Sequence, residues 1–341
     1  MKAESASNID ASFLNQIASK MNGSSVLLTG ATGLVGTSIL NFLSSATQTT
    51  GFKVQMFTNS TSDLQSLSFI SVLNPKHLIN NLTSGLGDIS KRKYDFIIHA
   101  GGPAQPIDFM QRKKETYLVN SIVTGELLDL LENDGRFVFL SSTELYSGLA
   151  EDHFFESQIG TSLPSHPRAC YIEGKRAGEM FVDWGRDDGK QASSLRLSYT
   201  YGPGSRAGDS RVINQIIESA IKYGHIQLKD SGSTIRTNLF INDAAQMIIS
   251  VLLNPLKSVY NIAGMKASTI KHIAELVAKH TQSELTLPLG GASHEIYAQK
   301  NVQVDISAYV RDFGLPEFTE LHEGLRQTIE WQRLNLYKGT F

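Results

Sequence analysis

The sequence predicts an α/β fold, a doubly wound parallel sheet followed by a smaller C-terminal α/β lobe that would hold a substrate. Three observations predict it. Short continuous apolar runs of buried-strand type recur along the chain, the first of them is followed at once by a glycine-rich turn, and stretches of helical apolar spacing separate them. Strands covered on both faces read as continuous apolar runs, and the helices between them supply the crossovers that parallel pairing needs.

With 341 residues the chain can bury a sizeable core, as one large or two closely joined domains. Charge is nearly balanced, 31 Lys plus Arg against 33 Asp plus Glu with no long block of one sign, which argues against nucleic acid or a membrane surface as partner. Cys170 is the single cysteine, so no intrachain disulfide can form, no metal centre is expected, and a reducing, cytoplasmic setting fits. Residues 1–22 read as a polar N-terminal extension with scattered Phe13, Leu14 and Ile17 and without the pattern of a signal peptide. No run reaches the apolar length of a membrane span.

The first strand, Ser25-Val26-Leu27-Leu28-Thr29, leads into Gly30-Ala31-Thr32-Gly33-Leu34-Val35-Gly36 and then into helical spacing over 37–43. Strand, glycine turn and helix in that order predict a dinucleotide site of the Rossmann type, the plainer alternative being a turn that merely joins the first strand to the first helix. Gly30 permits the tight turn, Gly33 lets backbone approach a pyrophosphate, and Gly36 lets helix pack on strand. Thr32, Leu34 and Val35 line the same turn, and the helix N-terminus offers N–H groups to phosphate. A second strand over 53–57 ends at Thr58-Asn59-Ser60, where the acidic residue expected to hold the adenosine ribose is missing. Thr58 and Asn59 remain as ribose candidates, and no Arg stands nearby for a 2′-phosphate. NAD is therefore preferred and NADP left open.

Further on, Asp88, with Ile89 beside it, is a candidate contact to the adenine amino group, though a solvated cap is the plainer reading of an Asp after a turn. The strand 94–99 ends in Ala100, Gly101 and Gly102, small residues suited to a strand passing close to a cofactor. His99 reads as a satisfied core histidine rather than a ligand. Helical periodicity then covers 106–131, a strand covers 136–140, and Ser141-Ser142-Thr143-Glu144-Leu145-Tyr146 leaves its carboxyl end, where ligands of parallel sheets bind.

Tyr171 and Lys175 stand four apart in a segment that reads as helix, so both side chains lie on one face. A phenol with an ammonium beside it suits acid or base chemistry, because the cation favours the phenolate. A further core strand over 195–199 is followed by the sharp stop Gly202-Pro203-Gly204. Beyond it come a helix over 211–222, a short strand over 226–228, a helix over 242–253 and a last strand over 259–263. Ser268 is read as the cap of a helix running to about residue 280. The tail with Leu285, Leu287, Leu289, Leu325, Ile329 and Trp331 would close the lobe.

Taken together, TGATGLVG at 29–36, HAGGPA at 99–104, SSTELY at 141–146, YIEGK at 171–175, RLSYTYGPG at 196–204 and Arg236 ahead of 240–243 resemble the extended short-chain dehydrogenases/reductases that act on nucleotide sugars. The resemblance covers about residues 25–265. It implies NAD, a nucleotide-sugar substrate and a homodimer formed through helices at 106–131 and 167–183. It also implies a cofactor contact for Tyr171 and Lys175, a catalytic hydroxyl at Ser142, and substrate contacts at Pro103, Tyr199, Arg211 and Arg236. The two arginines are diphosphate candidates because Arg presents a fork to phosphate oxygens. Tyr199 departs from the family, which usually has an Asn there.

The pair after Ser142 separates reactions within that family. Dehydratases carry Asp-Glu, whereas Thr143-Glu144 is similar to UDP-glucuronate decarboxylases, as are 167–176, 208–213 and 230–236. The expected activity is decarboxylation of a nucleotide-activated hexuronic acid through a transient 4-keto sugar, with Ser142, Thr143, Glu144, Tyr171 and Lys175 as the catalytic set. Alternatives are a 4-epimerase, 4,6-dehydratase or 4-ketoreductase of another nucleotide sugar and, more remotely, a non-catalytic dinucleotide sensor. The expected boundaries are a cofactor domain at 23–200, completed by about 238–263, and a substrate lobe from 201–237 and 264–341.

Overall fold

A computed structural model describes residues 10–62, 64, 70–288 and 301–337. Seven strands pair in parallel in the order Val259–Ile262, Gln191–Leu197, Leu131–Ser142, Tyr94–His99, Ser25–Thr29, Gln55–Ser60, Lys76–Ile79. The chain winds from Ser25–Thr29 to one edge, then restarts at Tyr94–His99 and winds to the other. In sheets wound this way ligands bind where the winding reverses, here at the carboxyl ends of those two strands.

Strand residues alternate between two apolar layers, as a pleat of period two requires. Val26, Leu28, Phe96, Ile98, Val138 and Leu140 face the layer that holds the helices Leu34–Thr50 and Ile241–Leu253. Leu27, Ile97, Phe137 and Phe139 face the layer that holds Lys113–Asn120, Ile122–Leu128 and Ala169–Asp187. Each fully buried side chain of this size contributes roughly 1.5–3 kcal/mol, so a slip of one residue in any central strand is strongly opposed.

The N-terminal segment is more than a polar extension. Asp10 accepts from the Ser12 N–H at 3.0 Å and caps the helix Ala11–Met21, whose Phe13, Leu14, Ile17 and Met21 are buried on one face against the first layer. The helix expected over 106–131 is three short ones, Pro106–Gln111, Lys113–Asn120 and Ile122–Leu128, broken where Arg112 (φ −110°, ψ 50°) and Ser121 (φ −112°, ψ −87°) leave helical geometry. The next strand is longer than expected, Leu131–Ser142: Leu131 pairs with Tyr94, the register then shifts, and 136–139 pair with 96–99 while 136–142 pair with Gln191–Leu197.

Tyr199 is not in the core strand. That strand ends at Leu197, and Tyr199–Tyr201 joins a second sheet by pairing with the far end of Ile235–Phe240. The near end of Ile235–Phe240 lies between Ala267–Thr269 and Asn301–Val304, which pairs in turn with His153–Phe154. A two-stranded sheet of His225–Gln227 and Glu284–Thr286 completes the lobe. The cap of the helix Ile270–Thr281 is Thr269, which accepts from the His272 N–H at 3.1 Å, while Ser268 lies in the preceding strand. Leu289 falls outside the described residues.

Candidate active site

The glycine turn sits at the reversal of the sheet. Gly30 has φ +70°, and a Cβ there would stand 2.3 Å from the Ala100 carbonyl oxygen, so the strand end at Ala100 to Gly102 and the turn touch backbone to backbone. The turn is held from outside: Ala31 N–H donates to the Asn59 carbonyl at 3.1 Å and Gly33 N–H to the Gly30 carbonyl at 3.0 Å. Gly33 precedes the 17-residue helix Leu34–Thr50 and makes no side-chain cap, so the first N–H groups, at Leu34, Val35 and Gly36, have no capping side chain. A close backbone turn with open helix donors fits a pyrophosphate, and Thr32, half-buried, lies on it.

Behind the turn His99 is buried with both ring nitrogens in use. Nε2–H donates to the Val119 carbonyl at 2.9 Å, and Nδ1 meets the Thr29 hydroxyl at 2.7 Å, whose oxygen accepts the Gly101 N–H at 3.0 Å. Burial pulls the imidazole down to about 3, so it stays neutral and structural.

At the adenosine end the second strand runs on to Ser60 and buries Thr58 and Asn59. The Thr58 hydroxyl meets His77 Nδ1 at 2.9 Å, and the Asn59 amide donates to the Leu78 and Asn80 carbonyls at 3.1 and 3.2 Å. Both side chains are thus turned to the neighbouring strand in the protein by itself. Asp88 is exposed and paired with Lys91 at 2.5 Å, which holds its carboxyl below the usual range, and Ile89 is buried beneath the Tyr94 hydroxyl, which donates to its carbonyl at 3.0 Å.

Tyr171 and Lys175 project from the helix Ala169–Asp187. The Tyr171 ring stacks on Phe109 with centroids 4.6 Å apart, and the Ser142 side chain, at the end of its strand, acts on the phenol to favour its ionised form. Lys175 is 7% exposed, donates to the Leu140 carbonyl at 2.5 Å and lies 4.7 Å from the Phe139 ring centroid and 5.5 Å from that of Tyr171. Gly178 permits this approach, since a Cβ there would stand 2.3 Å from the Asn120 carbonyl oxygen and 2.5 Å from Phe139. Burial pushes the phenol up to about 12, with the Ser142 side chain acting against it and the Glu144 charge with it. Burial also brings Lys175 down to about 7, opposed by the charge of Glu179. In the protein by itself the phenol therefore holds its proton at neutral pH.

Two ion pairs flank this helix. Glu144, one residue past buried Thr143, receives Arg168 Nη1 at 2.7 Å. Further along the same stripe Arg196 grips Glu179 through Nε at 3.0 Å and Nη2 at 2.8 Å, and Glu179 also accepts from the Ser141 hydroxyl at 2.6 Å. The Thr143 hydroxyl donates to the Leu197 carbonyl at 3.4 Å.

Among the residues expected to bind substrate, Pro103 is buried beside the glycine strand end. The Arg236 guanidinium lies 5.4 Å from the Tyr199 ring centroid and hydrogen-bonds its phenol, and its Nη1 donates to its neighbour's carbonyl, Ile235, at 2.9 Å. Arg211 is paired in the protein by itself: buried Asp209 takes its Nε at 2.9 Å and also its Nη2. Sequence reasoning missed Arg168, Glu179 and Phe109. Glu179 had a signal, since 171, 175 and 179 continue one helical stripe; Arg168 and Phe109 meet the site only through the fold.

Comparison with known proteins places these features in a group. The family described as NAD dependent epimerase/dehydratase matches residues 26–263. The chain is similar to UDP-glucuronic acid decarboxylase 1 of Xenopus tropicalis, 28% identical over 251 residues covering 71% of this chain and 58% of that protein. It is 27% identical to UDP-glucuronic acid decarboxylase 6 of Arabidopsis thaliana over 244 residues, 71% of each chain. The match thus spans less than two thirds of the frog relative. In fold it resembles Epimerase Mth375 from Methanothermobacter thermautotrophicus, with TM-score 0.79, 19% identity and coverage of 95% and 96% of the two chains. It also resembles MoeE5, solved in complex with UDP-glucuronic acid and NAD, with TM-score 0.74, 20% identity and coverage of 92% and 100%.

Proposed function

This chain belongs to the NAD dependent epimerase/dehydratase family, and we propose that within it the protein decarboxylates a hexuronic acid carried on a nucleoside diphosphate, the UDP-glucuronate to UDP-xylose type of reaction. The observation that carries this reading is the group after Ser142: a threonine turned to a backbone carbonyl and a glutamate paired with Arg168. Dehydration needs a strong acid where Thr143 offers only a hydroxyl. Two relatives that are UDP-glucuronic acid decarboxylases support the same choice.

The turn of Gly30 to Gly36 would hold NAD, with Tyr171 and Lys175 as further contacts, and the bound cofactor would supply a reversible hydride acceptor for sugar C4 and a positive charge favouring the phenolate. Tyr171 takes the proton of the C4 hydroxyl as that carbon becomes a ketone, and Ser142 holds the same oxygen. The C5 carboxylate is then β to a carbonyl, so it leaves as carbon dioxide with its electron pair held as an enolate. Glu144 positions the ring and handles the proton that C5 takes up. Tyr171 gives its proton back to the C4 oxygen on reduction.

We place a homodimer contact on the exposed Tyr117, Ile122, Met180 and Trp184 of the helices packed over the second layer. Among the described residues no helix is long and apolar enough to cross a membrane.

The test is mass spectrometry of UDP-glucuronate incubated with the purified protein and NAD. A nucleotide pentose is expected, and Tyr171→Phe should lower its formation about 10²–10⁴-fold. A product of unchanged mass, the C4 epimer, would replace this reading by an epimerase.

A further inference from the structure

The arginines around the pocket differ in how many donors they have left. A guanidinium carries five N–H donors. Arg196 spends its own on Glu179, on the Tyr146 hydroxyl and on the Glu156 and Gln158 carbonyls. Arg211 is forked by Asp209 and also donates to the Thr200 carbonyl. Arg236 lies over the ring of Tyr199 and bonds its phenol. The Arg168 side chain, 19% exposed, makes one hydrogen bond among the described residues, Nη1 to Glu144.

Its position is fixed more firmly than its donors. Arg168 opens the helix that carries Tyr171, with its carbonyl accepting the Tyr171 and Ile172 N–H groups at 3.0 and 3.1 Å. Its own N–H donates to His166 Nδ1 at 3.1 Å. The backbone is thus anchored at both sides of the peptide, one turn ahead of the phenol.

We propose that Arg168 is the residue that recognises the carboxylate of the sugar, offering its remaining N–H donors to the uronate while Glu144 holds Nη1. This rests on the reading of the site as one for nucleotide-linked uronic acids. The charge balance requires such a residue. A uronate entering beside Ser142 and Tyr171 meets Glu144, and two carboxylates at contact repel unless a cation lies between them. Arg168 already neutralises Glu144 and presents a planar fork that matches a second carboxylate. A neutral hexose on the same nucleotide gains nothing from it.

The experiment uses the full chain saturated with NAD and carrying Tyr171→Phe, so that ligand is not consumed, with binding of UDP-glucuronate and UDP-glucose measured by calorimetry. These ligands differ only at C6, carboxylate against hydroxymethyl. The parent should prefer UDP-glucuronate by about tenfold or more, the value of one good charged contact. Adding Arg168→Met should erase that preference by weakening UDP-glucuronate alone, and Arg168→Lys should restore part of it. Unchanged NAD binding checks that the variants fold. A preference that survives Arg168→Met, or equal weakening of both ligands, overturns the assignment and leaves the uronate reading standing. A parent with no preference overturns both.

Discussion

The Arg196–Glu179 and Arg168–Glu144 pairs use the same chemistry about three turns apart along one helix, and they differ in burial. In the first, the side chains are 5% and 8% exposed, the fork is doubly bonded, and Ser141, Tyr146 and two backbone carbonyls fill the remaining donors and acceptors. In the second, they are 19% and 18% exposed and share one contact. A buried pair whose every group is satisfied locks neighbouring elements together, and losing one partner strands a charge. A half-open pair costs little to rearrange and can trade partners with a ligand. Burial, not residue type, separates the two pairs.

Breaking the buried pair should have the largest effect. Glu179→Ala leaves the Arg196 guanidinium uncompensated, and denaturant unfolding should show a loss of about 3–5 kcal/mol. An effect below about 1 kcal/mol would erase the distinction between the pairs.

Lys175, midway between them, gives a pH test of intermediate size. Its value in the folded chain, about 7, lies below the ordinary 10.5 because burial disfavours its charge. Between those values the unfolded chain binds the proton more tightly, so this contribution to stability is present above pH 10.5 and is lost as pH falls toward 7. The stability of the wild type minus that of Lys175→Met should therefore rise from pH 7 to 10, by at most about 1.4 kcal/mol per pH unit. Above pH 10 Tyr171, raised to about 12 by burial, works in the opposite direction. A flat difference between pH 7 and 10 would show that Lys175 keeps its ordinary proton affinity.

The open pair should give the smallest stability change. Glu144→Gln should alter unfolding free energy by less than about 1 kcal/mol while lowering turnover. A loss as large as that of Glu179→Ala would make the open pair structural as well.

The elements that sequence reasoning located are those whose signal is local. Helix Val212–Tyr223 and strand Val259–Ile262 came out within a residue or two, because their apolar periods are complete. The first helix was missed, since four apolar residues on one face are diluted by polar neighbours until the face finds its layer. The continuous helix over 106–131 was wrong because Arg112 and Ser121 break it without a proline or glycine to mark the place.

By itself the sequence determined the glycine turn and the one-face placement of Tyr171 and Lys175, since both follow from backbone geometry within a few residues. It also determined the strand alternation that builds a two-layered sheet. Only the tertiary structure decided that Thr58 and Asn59 turn inward, that Tyr199 leaves the core strand, and that Asp209 occupies Arg211. The pairing of Arg168 with Glu144 across 24 residues belongs to the same group. Those contacts depend on how layers stack and where each strand stops, and no period along the chain encodes such distances.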